Sequence, residues 1–345
     1  MENKFTHLHV HTEYSLLDGF SRIDDILDKA QSYGMDSLAI TDHGQMYGVI
    51  EFYKKAKERG IKPIIGCEVY ISDKDHLIKD PTNKRYYHLI LLAKNNNGYK
   101  NLLKIVSEAY VNGYYYKPRV DLDFIKKYSE DLIALSACLS GEVSQRILEG
   151  DIGKAYETAN KYKEIFGKGN YYLELQNHGL NKQEKVNEVL VKMHEDLDID
   201  LVATNDVHYI NKEDSYYQDV LLCIQTGALV KDEDRMKMPC DEFYLKSSDE
   251  MYAIFKDYKE ALENTNKIAK MCNVEMEFHH PHLPYFSKLP DGLSNLEYLT
   301  QLVDEGLSQK YEKVSEDIRK RATREINVIN SMGYVDYFLI VWDFV

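Results

Sequence analysis

The stretch THLHVHTEYSLLDG, residues 6–19, places three imidazoles at alternate positions. They belong to His7, His9 and His11. The side chains between them, Leu8 and Val10, are apolar. Because successive side chains of a strand point to opposite faces, an extended run would put all three imidazoles on one face. One histidine on such a face is usually an ordinary polar residue, whereas a triplet followed by Asp18 favours a ligand-binding face.

The composition is that of a folded globular protein. Hydrophobic residues make up 44% and charged residues 29% of the 345 positions, without the low hydrophobicity of disordered chains. The net charge of −14 argues against a protein that holds nucleic acid mainly through a basic surface, because phosphate contacts need clustered Lys and Arg. Contact with DNA would need bound metal ions, a basic partner or a further domain.

The five cysteines are scattered and contain no C-x-x-C pair. This pattern suggests neither a disulfide framework nor a zinc ribbon, and it is typical of reduced thiols in a cytoplasmic protein. No apolar run approaches the roughly 18 residues that a membrane-spanning helix needs, and the chain opens directly into charged residues. We therefore expect no signal peptide, no membrane anchor and a cytoplasmic location.

Apolar, β-branched runs separated by helix-like stretches predict seven strands. The runs are residues 6–10, 37–41, 63–71, 87–93, 132–136, 171–175 and 201–204. This alternation is typical of a parallel α/β fold.

Nearly every predicted strand carries a potential metal ligand, which we expect near its carboxyl end. The candidates are His9, His11, Asp42, His43, Glu68, His88, Cys138, Glu174, His178, Asp206 and His208. The carboxyl ends of a parallel barrel converge on one face, so these side chains would meet there. A single pair, such as the one in TDHG, could simply cap a turn, but the joint pattern favours a metal site.

The mixture of ligand types restricts the metal. Imidazoles with carboxylates and one thiolate suit zinc, manganese or iron better than calcium. The candidates outnumber the four ligands of a tetrahedral ion. The sequence therefore predicts a cluster of ions, in which a carboxylate such as Glu68 bridges two of them.

Five motifs carry a resemblance to a known family. They are HLHVHTEYSLLDG, AITDHGQMYGVIEFYKKAKERGIKPIIGCEVYI, YHLILLAKN, LSACLSGEV and TNDVHYI, in that order. Together they resemble the PHP (polymerase and histidinol phosphatase) family, in the form found at the N-terminus of bacterial DNA polymerase III alpha subunits. The resemblance implies a distorted (β/α)7 TIM-like barrel of the PHP type that holds up to three divalent metal ions, namely Zn, Mn or Fe, with Mg possible.

The resemblance also implies how the ligands are shared. One ion would be held by His9, His11, Glu68 and Asp206. A second would be held by Glu68, His88 and Cys138, and a third by Asp18, His43 and His208. Metal-bound water would be the nucleophile, and Asp206 or His208 would move a proton.

Four candidates match no ligand position of the family, namely His7, Asp42, Glu174 and His178. For these we expect structural roles. His7 would orient a ligand imidazole or face water, and Asp42 would cap a turn or support a ligand from behind. Cys67 adjoins Glu68 in a predicted strand, so it should face the opposite side as a core thiol.

The downstream chain continues the resemblance. Residues 215–251 are similar to the segment that closes the PHP domain, and residues 327–345 to the beginning of a polymerase palm. We therefore predict a PHP metal-binding barrel domain over 1–275 and a mostly helical linker with an incomplete palm over 276–345. The palm's catalytic aspartates lie further on in the family, so this chain should not polymerise DNA and should be a piece of a longer protein.

The function implied is metal-dependent phosphodiester hydrolysis in DNA replication, as a proofreading-type 3′–5′ exonuclease. Nucleotidyltransferase activity would belong to the full-length polymerase. The implied partners are the 3′ end of a DNA primer-template, bound mainly by the missing polymerase domains, and replisome subunits such as the sliding clamp. We expect weak DNA binding by this chain and no membrane contact.

Two alternatives stay open. In the first, the metals stabilise a scaffold that braces the polymerase or docks a proofreading subunit, without hydrolysis. In the second, the chain is a small-molecule phosphatase of the histidinol phosphate type. The palm-like downstream segment argues against the second alternative.

Overall fold

Seven strands build the first of two units, which span Met1–Met276 and Glu277–Val345. The computed structural model describes residues 4–278 and 283–345. The strands are β1 (Ser37–Ile40), β2 (Lys62–Ser72), β3 (Tyr86–Ala93), β4 (Arg119–Val120), β5 (Leu132–Leu135), β6 (Tyr171–Leu175) and β7 (Leu201–Ala203). Six of them lie where the apolar runs predict strands.

The strands pair in the order β1-β2-β3-β5-β6-β7, and β4 adds to β2. Most neighbouring strands are parallel, but β3 is antiparallel to both β2 and β5. The prediction of a parallel sheet is therefore wrong for this strand. The connection through residues 73–85 holds only the short 3₁₀ helix Pro81–Asn83, whereas parallel neighbours are usually joined through an α-helix.

The N-terminal segment, residues 6–11, joins the two ends of the strand order. On one side the amide of Ala39 donates to the carbonyl of His7, at 3.0 Å. On the other side the amide of His11 donates to the carbonyl of Val207, at 2.7 Å, and Val10 forms a parallel bridge with Val207. The segment is extended backbone with this bridge rather than the regular strand that we predict, and it closes the sheet as a barrel requires.

Helices follow most of the strands. They are α1 (Ile23–Ser32), α2 (Val49–Glu58), α3 (Asn96–Val111), α4 (Leu122–Lys127), α5 (Glu142–Leu148), α6 (Ile152–Phe166), α7 (Asn181–Leu197), α8 (Ser215–Thr226), α9 (Ser248–Ile254) and α10 (Lys259–Met271). In α1, for example, Ile23, Ile26, Leu27 and Ala30 are buried. Their spacing gives the apolar stripe of a helix packed on a sheet.

The core contains side chains from several strands and from α10. Leu8 of the N-terminal segment packs with Ile64, Ile90 and Val202, all fully buried, and Ile268 of α10 belongs to the same cluster. Leu8 thus faces the core, as its alternation with the histidines predicts. The α/β architecture, with a sheet closed by the N-terminal segment, agrees with the sequence analysis.

The second unit contains the helices α11 (Asn295–Lys310), α12 (Glu316–Ser331) and α13 (Val335–Phe344). Ser294 begins α11 with a capping box, in which Glu297 is its partner. Phe286, Leu299, Val335 and Leu339 form its small buried cluster. The helical character predicted for this part of the chain is confirmed. Among the described residues, none of the helices combines the length and apolar character needed to cross a membrane.

Candidate metal centre

The nine predicted ligands come from separate parts of the first unit and meet at one end of the sheet. His9 and His11 lie on the N-terminal segment, Asp18 on the loop after it, His43 after β1, Glu68 on β2, His88 on β3, Cys138 after β5, and Asp206 and His208 after β7. His88 is the third residue of β3 and not near its carboxyl end, contrary to the prediction. Because β3 is antiparallel, its amino end lies beside the carboxyl ends of its neighbours, and His88 still reaches the centre.

The first group contains His9, His11 and Asp206. Oδ1 of Asp206 lies 3.0 Å from Nε2 of His9 and 3.3 Å from Nε2 of His11. The two imidazole Nε2 atoms lie 3.2 Å apart. Glu68 approaches both imidazoles at 3.4 Å. These four residues are the ones that the family resemblance assigns to one ion.

Glu68 lies between the first group and a second. Its Oε1 is 2.8 Å from Nδ1 of His88, and its Oε2 is 2.6 Å from Nδ1 of His43. Sγ of Cys138 is 4.0 Å from Nδ1 of His88. A carboxylate between two sets of imidazoles has the arrangement of a bridging ligand. The structure adds His43 to this group, whereas the resemblance places it only with the third ion.

The third group surrounds Asp18, whose Oδ2 lies 2.9 Å from Nε2 of His43 and 3.7 Å from Nε2 of His208. The imidazole of His11 stacks on His43 with ring centroids 4.1 Å apart. The Gln218 side chain, from α8, donates to the Asp18 carbonyl oxygen at 3.1 Å. This contact holds the loop that carries Asp18. Nothing in the sequence distinguishes Gln218 from other helical glutamines, so sequence analysis could not identify its role.

The carboxylates at the centre are ionised in spite of their burial. Burial favours the neutral form of Glu68, but His88 and His43 hold the pKa of Glu68 well below its usual range. Burial acts in the same way on Asp206, yet His9 keeps the pKa of Asp206 well below its usual range as well. The centre therefore concentrates negative charge in a buried volume, and that charge requires nearby cations.

The imidazoles respond to these charges in different directions. Burial lowers the pKa of His43, but Glu68 and Asp18 outweigh this effect and raise the pKa of His43 to about 10. His11 differs, because burial and the cationic His43 and His208 lower its pKa to about 3. In the metal-free protein, protons on some of the imidazoles therefore supply the positive charge that balances the buried carboxylates.

Three buried atoms test whether the centre suits a metal. Nδ1 of His43, Oε2 of Glu68 and Oδ1 of Asp206 have no hydrogen-bond partner among the described residues. Nδ1 of His43 and Oε2 of Glu68 lie 2.6 Å apart, yet no hydrogen bond satisfies them. Unpartnered buried polar atoms are costly and rare. Coordination of a divalent cation would satisfy all three, and the N, O and S donors suit a transition metal.

Two candidate ligand imidazoles have polar partners behind them, His9 a carboxylate directly and His11 a serine hydroxyl that leads to a carboxylate. Oε1 of Glu174 lies 2.7 Å from Nδ1 of His9 and accepts a hydrogen bond from the Thr204 hydroxyl at 2.5 Å. The hydroxyl of Ser15 lies 3.0 Å from Nδ1 of His11 and donates to Asp42 at 2.7 Å. Such partners fix the orientation and tautomer of a ligand imidazole.

The remaining histidines of the sequence analysis have other partners. Nε2 of His7 lies 2.8 Å from the carbonyl oxygen of Lys246, and burial lowers the pKa of His7 to about 4. Nε2 of His178 lies 3.1 Å from the Asn205 carbonyl oxygen. The Cys67 thiol is buried and donates to the backbone carbonyl of Asp42 at 3.3 Å. None of these side chains belongs to a ligand group among the described residues.

A cavity of about 400 Å³ opens beside the centre. Its lining includes Asp18, His43, Tyr70, Arg85, His88 and Lys117. The Tyr70 ring packs against Gly44, where an added Cβ atom would lie only 2.8 Å from it. Burial and Glu68 raise the pKa of Tyr70, so its hydroxyl keeps its proton. A larger cavity of about 930 Å³ lies beside Leu16 and Phe20, and no candidate ligand lines it.

Comparison with protein families identifies the domain that carries these residues. The model of the family described as "PHP domain" matches residues 7–178. The chain carries a PHP domain. A second model, "Bacterial DNA polymerase III alpha NTPase domain", matches residues 297–345. The resemblance drawn from the five motifs is therefore confirmed.

Curated relatives of the PHP chain are similar to it along nearly its whole length. It is 48% identical over 347 residues to DNA polymerase III subunit alpha of Borreliella burgdorferi, covering 99% of the chain and 30% of the relative. It is 46% identical over 344 residues to the subunit alpha of Treponema pallidum, covering 99% and 29%. The chain thus spans about 30% of the length of these relatives.

Solved structures are more distant. A two-domain protein from Bacteroides vulgatus, containing a predicted PHP-like metal-dependent phosphoesterase, is 14% identical with a TM-score of 0.38. The match covers 72% of this chain and 62% of that one. A likeness of this size carries no argument about activity.

Proposed function

We propose that the centre hydrolyses phosphodiester bonds at the 3′ ends of DNA, as a metal-dependent 3′–5′ exonuclease of the proofreading type. One observation carries the proposal. The buried, unpartnered oxygens of Glu68 and Asp206 lie among imidazoles from distant parts of the chain, and the cavity beside them is lined by two cations, Arg85 and Lys117. This arrangement suits a polyanionic substrate next to divalent metal ions.

We assign the ligands of up to three divalent ions, Zn, Mn or Fe with Mg possible, to the nine predicted side chains. They are His9, His11, Asp18, His43, Glu68, His88, Cys138, Asp206 and His208. When bound, such ions lower the pKa of water toward neutrality and neutralise charge on the phosphate. The distances among the nine side chains support the assignment.

The chain's own residues bind the substrate and move protons. Lys117 attracts the phosphates from the lining of the cavity, and Arg85, which pairs with Glu149, adds positive charge beside it. Tyr70 offers a neutral hydroxyl as a hydrogen-bond donor to a phosphate oxygen, since its pKa is raised by burial and by Glu68. In the metal-free protein His208 holds a proton at Nε2 beside Asp18, because Asp206 and Asp18 raise its pKa against the effect of burial. That proton would leave when Nε2 binds a metal ion. Either His208 or Asp206 can therefore act in proton transfer.

We also propose that the chain works in bacterial DNA replication, in the cytoplasm, as part of a DNA polymerase III alpha subunit. The similarity to such subunits along 99% of the chain supports this. Nucleotidyl transfer, most of the grip on the primer-template and contacts with replisome subunits such as the sliding clamp would belong to the whole protein.

The direct test follows a 5′-labelled oligonucleotide in the presence of manganese. Wild-type protein should shorten it from the 3′ end and release nucleoside monophosphates, and Asp206→Asn should reduce the rate at least a hundredfold. Asp317→Asn, an exposed position in α12, is the matched control and should cleave normally. Removal of nucleotides from the 5′ end, or equal rates for Asp206→Asn and wild type, would contradict the proposal.

A metal-stabilised scaffold is the second candidate function, because the buried carboxylates of Glu68 and Asp206 also suit a structural cluster. Melting temperature and cleavage rate, both followed during metal removal and return, separate the two functions. A scaffold would gain stability from the metal without cleaving DNA. Comparing a primer-template with p-nitrophenyl phosphate tests the small-molecule phosphatase, which should prefer the phosphomonoester.

A further inference from the structure

We propose that a surface beside the centre binds single-stranded nucleic acid and leads its end into the cavity. We name it the tyrosine surface. It consists of Tyr47, Tyr110, Tyr114, Tyr116, Lys84 and Lys117. The proposal rests on the proposed function for the fate of the bound strand, whereas the binding itself needs no hydrolysis.

Three tyrosines of the surface are exposed and follow one another in space. Tyr47 is 63% exposed, Tyr114 is 51% exposed and Tyr110 is 36% exposed. The ring centroids of Tyr47 and Tyr110 lie 6.2 Å apart, and those of Tyr110 and Tyr114 also lie 6.2 Å apart. A contiguous patch of large exposed side chains marks an interaction site more often than isolated ones do.

Tyr116 extends the surface from a strained turn. Its φ is +63°, in the left-handed region that a bulky residue rarely adopts. The amide of Tyr115 donates to the carbonyl of Lys117 across the turn, at 3.1 Å. The turn leaves the Tyr116 ring 68% exposed. Backbone strain of this kind is concentrated at functional sites, and here it presents an aromatic ring to solvent.

The two lysines give the surface a positive charge. Nζ of Lys84 lies 5.7 Å from the ring centroid of Tyr116, and Nζ of Lys117 lies 5.3 Å from that of Tyr70. Neither lysine forms an ion pair with a carboxylate within residues 4–278 and 283–345. Tyr70 is buried, whereas Tyr116 is exposed. A cation next to an exposed aromatic ring, as Lys84 is next to Tyr116, is typical of the platforms on which proteins hold single strands, through phosphate contacts and base stacking.

The tyrosine surface is continuous with the cavity of the metal centre. Lys117 lines that cavity together with His43 and His88. Next to it in the chain, Pro118 packs so closely on Gly44 that a Cβ atom there would lie 2.9 Å away. An exposed ring can stack on an unpaired base but not on bases stacked inside a duplex. The surface therefore favours a single strand, whose end would reach the cavity.

The test measures binding of a 5′-fluorescein oligothymidylate by anisotropy, in EDTA and at low salt. The double variant Tyr114→Ser, Tyr116→Asn removes two exposed rings, and asparagine tolerates the left-handed backbone at position 116. We expect its dissociation constant to rise at least tenfold. The control variant Tyr285→Ser, Tyr311→Ser changes rings of the second unit that are 69% and 47% exposed, and should bind like wild type.

Binding in EDTA separates this proposal from the proposed function. If the protein shows no exonuclease activity with any metal, the anisotropy measurement can still support the tyrosine surface, because it is made without metal ions. Equal dissociation constants for the double variant and wild type would overturn the tyrosine surface, as would a duplex that binds as tightly as the single strand. A second measurement uses an oligonucleotide with 5-iododeoxyuridine, which should cross-link on irradiation to the peptide containing Tyr114 and Tyr116. Cross-links confined to other peptides would also overturn it.

Discussion

Glu174 holds His9 in place through its imidazole Nδ1, which lies 2.7 Å from the carboxylate Oε1. Both side chains are fully or almost fully buried. With Nδ1 engaged by the carboxylate, Nε2 of His9 faces Asp206 at 3.0 Å. Glu174 is thus a positioning residue, which sets the imidazole orientation that a metal ligand needs.

Glu174→Gln should weaken metal binding while leaving the ligands themselves intact. Loss of a carboxylate behind a ligand imidazole typically reduces metal affinity by about 10–100-fold. Titration of zinc into metal-free protein in competition with a chelator measures the change. Glu188→Gln on the exposed side of α7 is the matched control. Unchanged affinity in Glu174→Gln would contradict the positioning role.

Metal removal should destabilise the first unit. A ligand that binds only the folded state contributes about 2.7 kcal/mol at a free concentration 100 times its dissociation constant. We therefore expect EDTA to lower the melting temperature of wild-type protein by several degrees, and excess manganese or zinc to restore it. Glu68→Gln removes a buried carboxylate shared by two ligand groups. The melting temperature of this variant should therefore change less than that of wild type when metal is removed or added. An equal response in both proteins would argue against metal binding at Glu68.

Gly141→Ala should disturb the loop that carries Cys138. A Cβ atom at this position would lie 2.0 Å from the carbonyl oxygen of Ser136, which is backbone and cannot simply rotate away. The amide of Gly141 donates to the Cys138 carbonyl at 2.9 Å, and Gly141 also bridges to His88. We expect a loss of about 1–3 kcal/mol in the free energy of unfolding, together with weaker metal binding.

Gly153→Ala is the matched control for this prediction. It lies near the start of α6, and the nearest atom to an added Cβ would be 3.9 Å away. Alanine is the better helix former, so stability should stay equal or rise slightly. Urea denaturation of both variants makes the comparison. A Gly141→Ala protein as stable as Gly153→Ala would show that the loop adapts at little cost.

His76 should make stability depend on pH, at a place away from the centre. Its Nδ1 lies 2.5 Å from Asp121 and its Nε2 lies 3.1 Å from Glu108. Burial opposes its charge, but these carboxylates raise the pKa of His76 above its ordinary 6.5. A raised pKa means that the contribution is complete below pH 6.5 and disappears as the pH rises through the folded-state value.

The measurement compares wild type with His76→Gln by urea denaturation at several pH values. Below pH 6.5 the variant should be less stable by about 1.5–3 kcal/mol, since it loses hydrogen bonds that involve charged groups. The difference should shrink at alkaline pH. A difference that stays constant from pH 6 to pH 9 would show that the imidazole contributes only through its shape.

Much of the fold follows from local patterns that the sequence displays. Apolar, β-branched runs mark β2, β3, β5, β6 and β7 in the sequence. A nearly continuous apolar run is sufficient to indicate a strand that is buried on both faces. β4, Arg119–Val120, is only two residues long and has no periodicity to detect. The direction of β3 depends on how its connection packs, which a propensity pattern does not contain.

The candidate site was also predictable from local patterns. One of its residues, His88, reaches the centre although the predicted direction of its strand is wrong. Ligand side chains such as Glu68 and Asp206 are rare in buried positions unless they are paired, so their place after apolar runs is a strong signal. His88 was expected near a carboxyl end of a parallel strand, but it reaches the centre from the amino end of an antiparallel one. Ser15 and Gln218 support ligands through ordinary polar contacts, which no residue type reveals in advance.

The N-terminal segment sets the order in which the protein can be completed during synthesis. His9 and His11 leave the ribosome early, but the carbonyl of Val207 that accepts the His11 amide emerges about two hundred residues later. Until then the segment has a neighbour in β1 and none on its other side. A nascent chain stalled before β7 therefore presents the His9 and His11 imidazoles without the residues that enclose them, and the candidate centre is complete only when the last strand has been synthesised.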